Sequence, residues 1–476
     1  MKTPFDSLHF STQALAQIVG GTVARPSEGE HAGLVTDSRE AVPGSIFLAL
    51  RGERTDGHAY IASAAAKGAD CILAERLDEE TAEKLPAGCA VILVPDTLAA
   101  LGALGRWYKN RIHPRVFAVT GSVGKTTTKQ MVFSVLSNGF PALKTEGNYN
   151  NEIGLPLTLL RLEEKHKIAV LEAGMNHAGE LSRLSRICEP DAAVITNIGT
   201  SHIENLGSRE GIRDAKLEIL DGMKPGGLLI LNGDEPLLTE KRDELTSRGF
   251  RVLTFGRENR NADFFAENIR MTAFDCTFDL RDTRAGTVVR NLHLPAAGIH
   301  NVGNACAAYL CGRESGMTED AIREGLEKFE NLRQTVVPFG DYTFIEDCYN
   351  ASPESMEAEL SVLSALAKEK HGRSAAVLGD MLELGEQGPA LHRRVGKAVS
   401  RAGVSLLVTF GPNALEIARG AIDAGMRADA VISVPSLDEP ELAAKKIREA
   451  LLPGDVVLFK ASHAAELDRV ITLIKK

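Results

Sequence analysis

Apolar residues along this chain gather into short β-branched runs, separated by segments with helical periodicity, from one end to the other. Near the middle, RVFAVT (115–120) reads as a buried strand, and KQMVFSVLSN behind it puts Met131, Val132, Val135 and Leu136 at helical spacing. Strand-turn-helix units recur at KIAVLEAGMNHAGEL and DAAVITNIGTSHIENLGS, then GIRDAKLEILDGM predicts a helix and GGLLILNGD a strand. RVLTFG and ADFFAENIRMTAFDCTFDLRD continue in a β-rich style, and GIHNVGNA (298–305) opens an Ala-rich helix. Ahead of these, SIFLAL, CILAE and AVILVP alternate with AYIASAAAKG, a small α/β unit, and the helical TLAALGALGRWYKN leads into the middle of the chain. Behind them, ENLRQTVVPFG reads as a hinge, and YTFIED, AAVLGD, SLLVTFG, AVISVP and DVVLFKAS alternate with helices as a doubly wound sheet. The expected architecture is three α/β domains over 1–100, 101–326 and 327–476. They comprise a small N-terminal domain, a central parallel-sheet domain of the P-loop ATPase kind and a C-terminal Rossmann-like domain.

Composition narrows this picture only slightly. A chain of 476 residues holds two to four domains. The net charge of −10 argues against a general nucleic-acid binder. The seven cysteines form no C-x-x-C pair, which argues against structural zinc and disulfides and suits a reducing cytoplasm. No apolar run is long enough to span a bilayer and the N-terminal stretch lacks a signal-peptide pattern, so a cytoplasmic protein without membrane insertion is expected.

The chemistry concentrates on the turn between RVFAVT and its helix. Gly121, Ser122, Val123, Gly124, Lys125, Thr126 and Thr127 form G-x-x-G-K-T-T, shorter than the common P-loop, which would want Gly where Val119 stands. A Gly-rich turn opening a helix presents N–H groups and a positive helix end to phosphate. Lys125 can reach the β- and γ-phosphates of ATP or GTP, and Thr126 can place its hydroxyl on Mg²⁺. Glu172, at a strand's C-terminal end, can hold that Mg²⁺ from the other side. Asn148 and Asn150 lie in the polar segment TEGNYNNEIGLP, which reads as a loop over a site. His202 and Glu204 come to the same edge, although a single histidine is more often structural. Asn301 and Asn304 lie three apart on a helix and can read an adenine edge or cap the helix. Asp347, Asn350, Asp380 and Lys460 fall at strand C-termini of the last domain. Thr36-Asp37-Ser38-Arg39 and the Arg51–His58 cluster are explained as well by turn chemistry as by binding.

These motifs together resemble the ATP-dependent Mur ligases. The resemblance rests on DSR and DGH, then TGSVGKTTTK, EGNYNNEIGLPLTLL, EAGMNHAGEL, ITNIGTSHIENLGSREGI, GIHNVGNACAA, EDCYNASPESM and GDMLELGEQG, in family order and nearly end to end. GDMLELGEQ and the lack of D-N-P-[RA] are similar to the branch that joins D-alanyl-D-alanine to UDP-N-acetylmuramoyl-tripeptide. The resemblance implies an acyl-phosphate mechanism using ATP and Mg²⁺. It implies that Lys125, His202 and Lys216 are catalytic, with Lys216 as a carbamate joining His202 around a second Mg²⁺. Asn301, Arg333 and Asp347 would grip the nucleotide, and Ser38 and Arg39 the UDP end. Asn148, Asn150, Asn350 and Lys460 would contact the substrates. The chain departs from the family where D-D-S-Y-N-A-N-P is Glu346-Asp347-Cys348-Tyr349-Asn350-Ala351-Ser352-Pro353 and where K-G-S-R ends in His463. A folylpolyglutamate synthetase-like ligase is the alternative, which the DSR-bearing first domain disfavours. A non-catalytic nucleotide-dependent regulator is disfavoured by intact Lys125, Thr126, Glu172, His202 and Lys216.

Overall fold

Strands covered on both faces read as unbroken apolar runs, and the middle sheet is built from them. In the computed structural model, which describes residues 4–52, 55–331 and 335–476, the strands Arg115–Thr120, Ile168–Glu172, Ala192–Ile195 and Leu228–Asn232 are buried almost throughout. From one edge, the sheet runs Ala142–Lys144, Ile168–Glu172, Arg115–Thr120, Ala192–Ile195, Leu228–Asn232, Arg251–Gly256, Phe264–Met271, Cys276–Asp282 and Thr287–Leu294. Neighbours are parallel as far as Phe264–Met271 and antiparallel beyond it. The β-rich run 262–282 is thus two strands. Thr287–Leu294, which sequence patterning did not assign, is mostly exposed or half-buried at the sheet edge and so carries a weak apolar signal.

Register places the chemistry. Glu172 pairs with Val119 and Ile195 with Thr120, so the Glu172 end, the Gly-rich turn and the segment after Ile195 share one carboxyl edge. The helix Lys125–Ser137 descends from this edge and packs against Ile299–Arg313 and Glu319–Glu327.

The first domain carries a five-stranded sheet in the spatial order Thr22–Arg25, Ala90–Leu93, Cys71–Ala74, Ile46–Leu48 and Leu34–Val35, beside a two-stranded pair of Phe10–Ser11 and Glu30–His31. The junction expected at 100/101 falls inside the helix Thr97–Ile112, which Asp96 caps through the Leu98 and Ala99 amides. Leu101, Leu104 and Tyr108 of this helix share one core with Leu15 and Leu73 on one side and Leu155 and Leu159 on the other. Apolar residues facing both neighbours bind the two domains through a common core.

The last sheet runs Thr335–Phe339, Tyr342–Asp347, Val456–Lys460, Ser374–Gly379, Leu406–Phe410 and Val431–Val434. All its pairs are parallel except the first. The expected hinge 330–340 therefore ends in a strand paired with Tyr342–Asp347, and Pro338 is tolerated because that strand lies at the edge. Ser352 caps Pro353–Glu369 in a reciprocal bond with Ser355, with Pro353 in the first turn.

Candidate active site

The Gly-rich turn is braced by the segment that follows Ile195. Ser122 donates its amide to the Asn197 carbonyl at 3.1 Å, and Val123 donates to Asn197 Oδ1 at 3.0 Å. The Val123 carbonyl accepts from Thr196 Oγ1 at 2.6 Å and Asn197 Nδ2 at 3.0 Å, while Gly199 N–H donates to Ser122 Oγ at 2.9 Å. A Cβ on Gly121, at φ +146°, would lie 1.9 Å from Thr196 Oγ1, and Gly124 enters the helix at φ +82°. Both positions require glycine. Lys125 folds over the turn and donates to the Gly121 carbonyl at 2.8 Å. Thr126 and Thr127 follow it in the first helical turn, with side chains half-buried.

Glu172 is 2% exposed and held from three directions. Its amide donates to Thr145 Oγ1 at 3.0 Å, and Asn150 Nδ2 donates to Oε1 at 2.8 Å. Oε2 is buried with no hydrogen-bond donor among the described residues, and Lys129 Nζ lies 3.5 Å from it. A buried carboxylate oxygen without a donor, at the sheet edge where the helix Lys125–Ser137 begins, fits a cation. Among the described residues no three His, Cys, Asp or Glu side chains converge on one point. That donor set suits Mg²⁺, which takes one or two carboxylates and completes its shell with hydroxyl, phosphate and water. Asn150 thus contacts Glu172, while Asn148, whose carbonyl accepts from the Asn150 amide at 2.7 Å, is exposed on the loop.

Lys216, on the helix Arg209–Leu217, is 2% exposed. Burial first, and the Lys125 cation second, hold its pKa well below the ordinary lysine value. His202 has φ +62°, caps the short helix Ile203–Leu206 and touches Glu383 of the last domain through Nδ1.

Further residues gather where the central and last domains meet. Asn301 is buried, donating Nδ2 to the Ala297 carbonyl at 2.7 Å and accepting from Asn304 Nδ2 at 3.1 Å. Asn304 Oδ1 accepts from Thr128 Oγ1 at 3.0 Å, so this pair leads back to the phosphate helix. Burial pushes the His300 pKa down to about 4, with Arg257 and Lys460 adding to the shift and Asp347 opposing it. Lys460, almost wholly buried, contacts Asp347 and donates to the Asn350 carbonyl at 3.0 Å. Arg333 lies outside the described residues.

In the first domain the two clusters form local braces. Arg39, largely exposed, grips Asp37 through Nε and Nη2, while Ser38 is buried. Asp56 accepts from the His58 amide at 3.0 Å and from Arg76 at 2.6 Å, and His58 Nε2 accepts from the Glu75 amide at 2.9 Å. Sequence reasoning missed Lys129, Asn197 and Glu383. Lys129, four residues after Lys125 on one helix face, was the readable one.

Three α/β domains, a Gly-rich turn between a strand and a helix, and a buried carboxylate on the same sheet edge are the frame, and the class it belongs to, an ATP-dependent ligase, comes from relatives. The sequence matches the Mur ligase middle domain over residues 119–312, the Mur ligase glutamate ligase domain over 303–463 and the Mur ligase family catalytic domain over 30–109. The chain belongs to the Mur ligase family. It is 38% identical, over 96% of each chain, to the Bacillus subtilis protein named UDP-N-acetylmuramoyl-tripeptide–D-alanyl-D-alanine ligase. A crystal structure of MurF from Acinetobacter baumannii superposes with a TM-score of 0.87 at 32% identity, covering 98% of this chain and 99% of that one. MurF from Thermotoga maritima in complex with ADP gives 0.79 at 30% identity, covering 93% and 97%.

Proposed function

We infer that this chain joins D-alanyl-D-alanine to the peptide carboxylate of UDP-N-acetylmuramoyl-tripeptide, consuming ATP, as a step in peptidoglycan precursor synthesis. The observation that carries the reading is the full-length match, first domain included, to relatives named for that reaction. That match also favours it over a folylpolyglutamate synthetase-like activity, and the buried Glu172 and Lys216 support a catalytic protein over a regulator. The division of labour we propose gives residues 1–100 the UDP end, 101–326 ATP and 327–476 the dipeptide. The helix Thr97–Ile112 couples the first two.

The tripeptide carboxylate attacks the γ-phosphorus of ATP, forming an acyl phosphate and releasing ADP. The dipeptide amine then attacks the acyl carbon, loses a proton and expels inorganic phosphate. Charge and alignment are the demands of both steps, and no enzyme nucleophile is needed. Lys125 and the amides of residues 121–127 would bear the charge of the transferring phosphoryl group. Thr126 and Glu172 would hold Mg²⁺, with His202 and a Lys216 carbamate holding a second ion, and the bound metal would supply Lewis-acid charge neutralisation. Suppressed protonation of Lys216 supports the carbamate, because only a neutral amine adds CO₂. Asn301, Arg333 and Asp347 would hold the nucleotide, while Ser38, Arg39, Asn148, Asn150, Asn350 and Lys460 would contact the substrates. The position of His300 beside Asp347 and Lys460 supports a nucleotide seat between the domains. No helix among the described residues is long and apolar enough to cross a membrane, which supports a cytoplasmic enzyme.

The test is ADP release and product mass with UDP-N-acetylmuramoyl-tripeptide and ATP, with and without D-alanyl-D-alanine. Dipeptide-dependent ADP release with a UDP-muramoyl-pentapeptide product is expected. ADP release with a folate and glutamate, and none here, would overturn the reading.

A further inference from the structure

The segment that braces the Gly-rich turn is itself held from the last domain. Gly199 N–H donates to Ser122 Oγ at 2.9 Å, and the next residue, Thr200, is buried. The Thr200 hydroxyl donates to the Glu354 carboxylate, 3.2 Å from Oε2 and 3.3 Å from Oε1. The Thr200 amide lies 3.5 Å from the same Oε2. Glu354 stands in the first turn of Pro353–Glu369, so this contact crosses from one domain to the other. Arg394 donates to Oε1 at 3.2 Å while gripping Glu357 through Nε and Nη2, which fixes the approach of the carboxylate. A Cβ on Gly199 would lie 3.0 Å from Glu354 Oε2 and 3.1 Å from Ser122 Cβ, so carboxylate and turn both crowd this residue.

A buried hydroxyl needs an acceptor, and a carboxylate is a stronger one than a neutral oxygen. With Thr200 so held, the adjoining Gly199 amide keeps its direction toward Ser122. We propose that Glu354 is a positioning residue for the Gly-rich turn, acting through Thr200 and Gly199 on Ser122. The inference rests on the reading above that this turn takes nucleotide phosphate. Under that reading the backbone donors must stand in place for phosphate, and any disorder at Ser122 has to be removed at the expense of affinity. The far end of the same helix supplies the contrast. Glu369 Oε2 accepts from the Ala273 amide of the central domain at 2.9 Å, about 22 Å from Glu354 along the helix axis. Bracing of the interface would be shared by both ends, whereas positioning of the turn belongs to Glu354 alone.

The experiment titrates ADP with Mg²⁺ into the full chain by calorimetry, with thermal melts to confirm folding. Glu354→Ala is expected to weaken ADP binding about tenfold, and Thr200→Val by a similar factor. The double variant should lose no more than either single one, because both remove the same contact. Glu354→Gln, which keeps an acceptor for the Thr200 hydroxyl, should bind ADP more tightly than Glu354→Ala. Glu369→Ala should leave ADP affinity at the wild-type value. Unchanged affinity in Glu354→Ala would overturn the proposal, as would additive losses in the double variant or a Glu354→Gln no tighter than Glu354→Ala. An equal loss in Glu369→Ala would also overturn it, reducing Glu354 to a brace of the interface. Wild-type protein that binds no ADP would overturn both the phosphate reading of the turn and this inference. Wild-type protein that binds ADP but forms no pentapeptide product would overturn only the substrate reading, because the titration needs no substrate.

Discussion

The Lys129 ammonium lies 3.5 Å from Glu172 Oε2, and both side chains are sealed, at 3% and 2% exposure. Lys129 also donates to the Thr145 carbonyl at 2.8 Å, and Thr145 Oγ1 accepts from the Glu172 amide. Without metal, Lys129 is therefore the charge that makes a buried Glu172 tolerable. Breaking a buried pair from one side leaves the other charge uncompensated. Lys129→Met should destabilise the metal-free protein by about 3 kcal/mol. Mg²⁺ with ADP should recover more stability in the variant than in wild type, because the ion replaces the missing cation. Equal metal-free unfolding midpoints in the two proteins would refute this.

Lys125 bends onto the Gly121 carbonyl, a contact it would exchange for phosphate in the proposed role. Lys125→Ala should lower turnover by at least about 10²–10³-fold, since it removes a cation from the developing phosphoryl charge. The thermal midpoint should change little, because Lys125 anchors no core. A variant with near wild-type turnover would show that this turn does not cradle the γ-phosphate.

What the sequence made readable was local. The phosphate turn needs only a strand, two glycines, a lysine and a helix in immediate succession, and each leaves its mark on adjacent residues. Asn197 bracing Val123 and Glu383 touching His202 arise from chain segments far apart, so no periodicity announces them. Within the stretch 330–340, read as a hinge, residues 335–339 form a strand, and Pro338 is tolerated there because an edge strand has spare amide positions. DSR was ambiguous for a different reason. Its Asp37–Arg39 contact is the local turn chemistry that any surface loop can use.

That ambiguity can be resolved at Arg39. Its side chain is largely exposed, so Arg39→Ala should leave the unfolding midpoint unchanged. If Arg39 contacts the UDP end, KM for the UDP substrate should rise about tenfold while KM for ATP holds. Removal of residues 1–100 is the poorer test, since it would cut the helix Thr97–Ile112 and expose Leu101 and Leu104. An Arg39→Ala enzyme with both constants unchanged would return DSR to turn chemistry.

Lys216 gives stability a definite pH dependence. Its folded pKa is depressed by burial and by Lys125, while the unfolded chain titrates near about 10.4. Between those values the unfolded state binds more protons, so stability rises with pH. Lys216→Met should flatten this slope and be the more stable protein at pH 7 in CO₂-free buffer. Urea melts across pH 7 to about 9.5, below that unfolded value, read the effect directly. Parallel slopes in the two proteins would show that Lys216 keeps its proton in the fold.

The same depressed pKa would give Lys216 the chemical use proposed for it. A neutral amine that adds CO₂ and releases a proton becomes a carbamate, so Lys216 would carry an anion in place of an uncharged amine. An ammonium there would repel Mg²⁺, whereas a carbamate oxygen can bind it. Lys216→Ala should therefore be nearly inactive, with activity partly restored by formate or acetate, because a small acid can enter the vacated space and present the missing carboxylate. Wild-type activity should fall when CO₂ is stripped and return with bicarbonate. Full activity in Lys216→Ala would refute the carbamate. So would inactivity that no added acid relieves, if Lys216→Glu works no better.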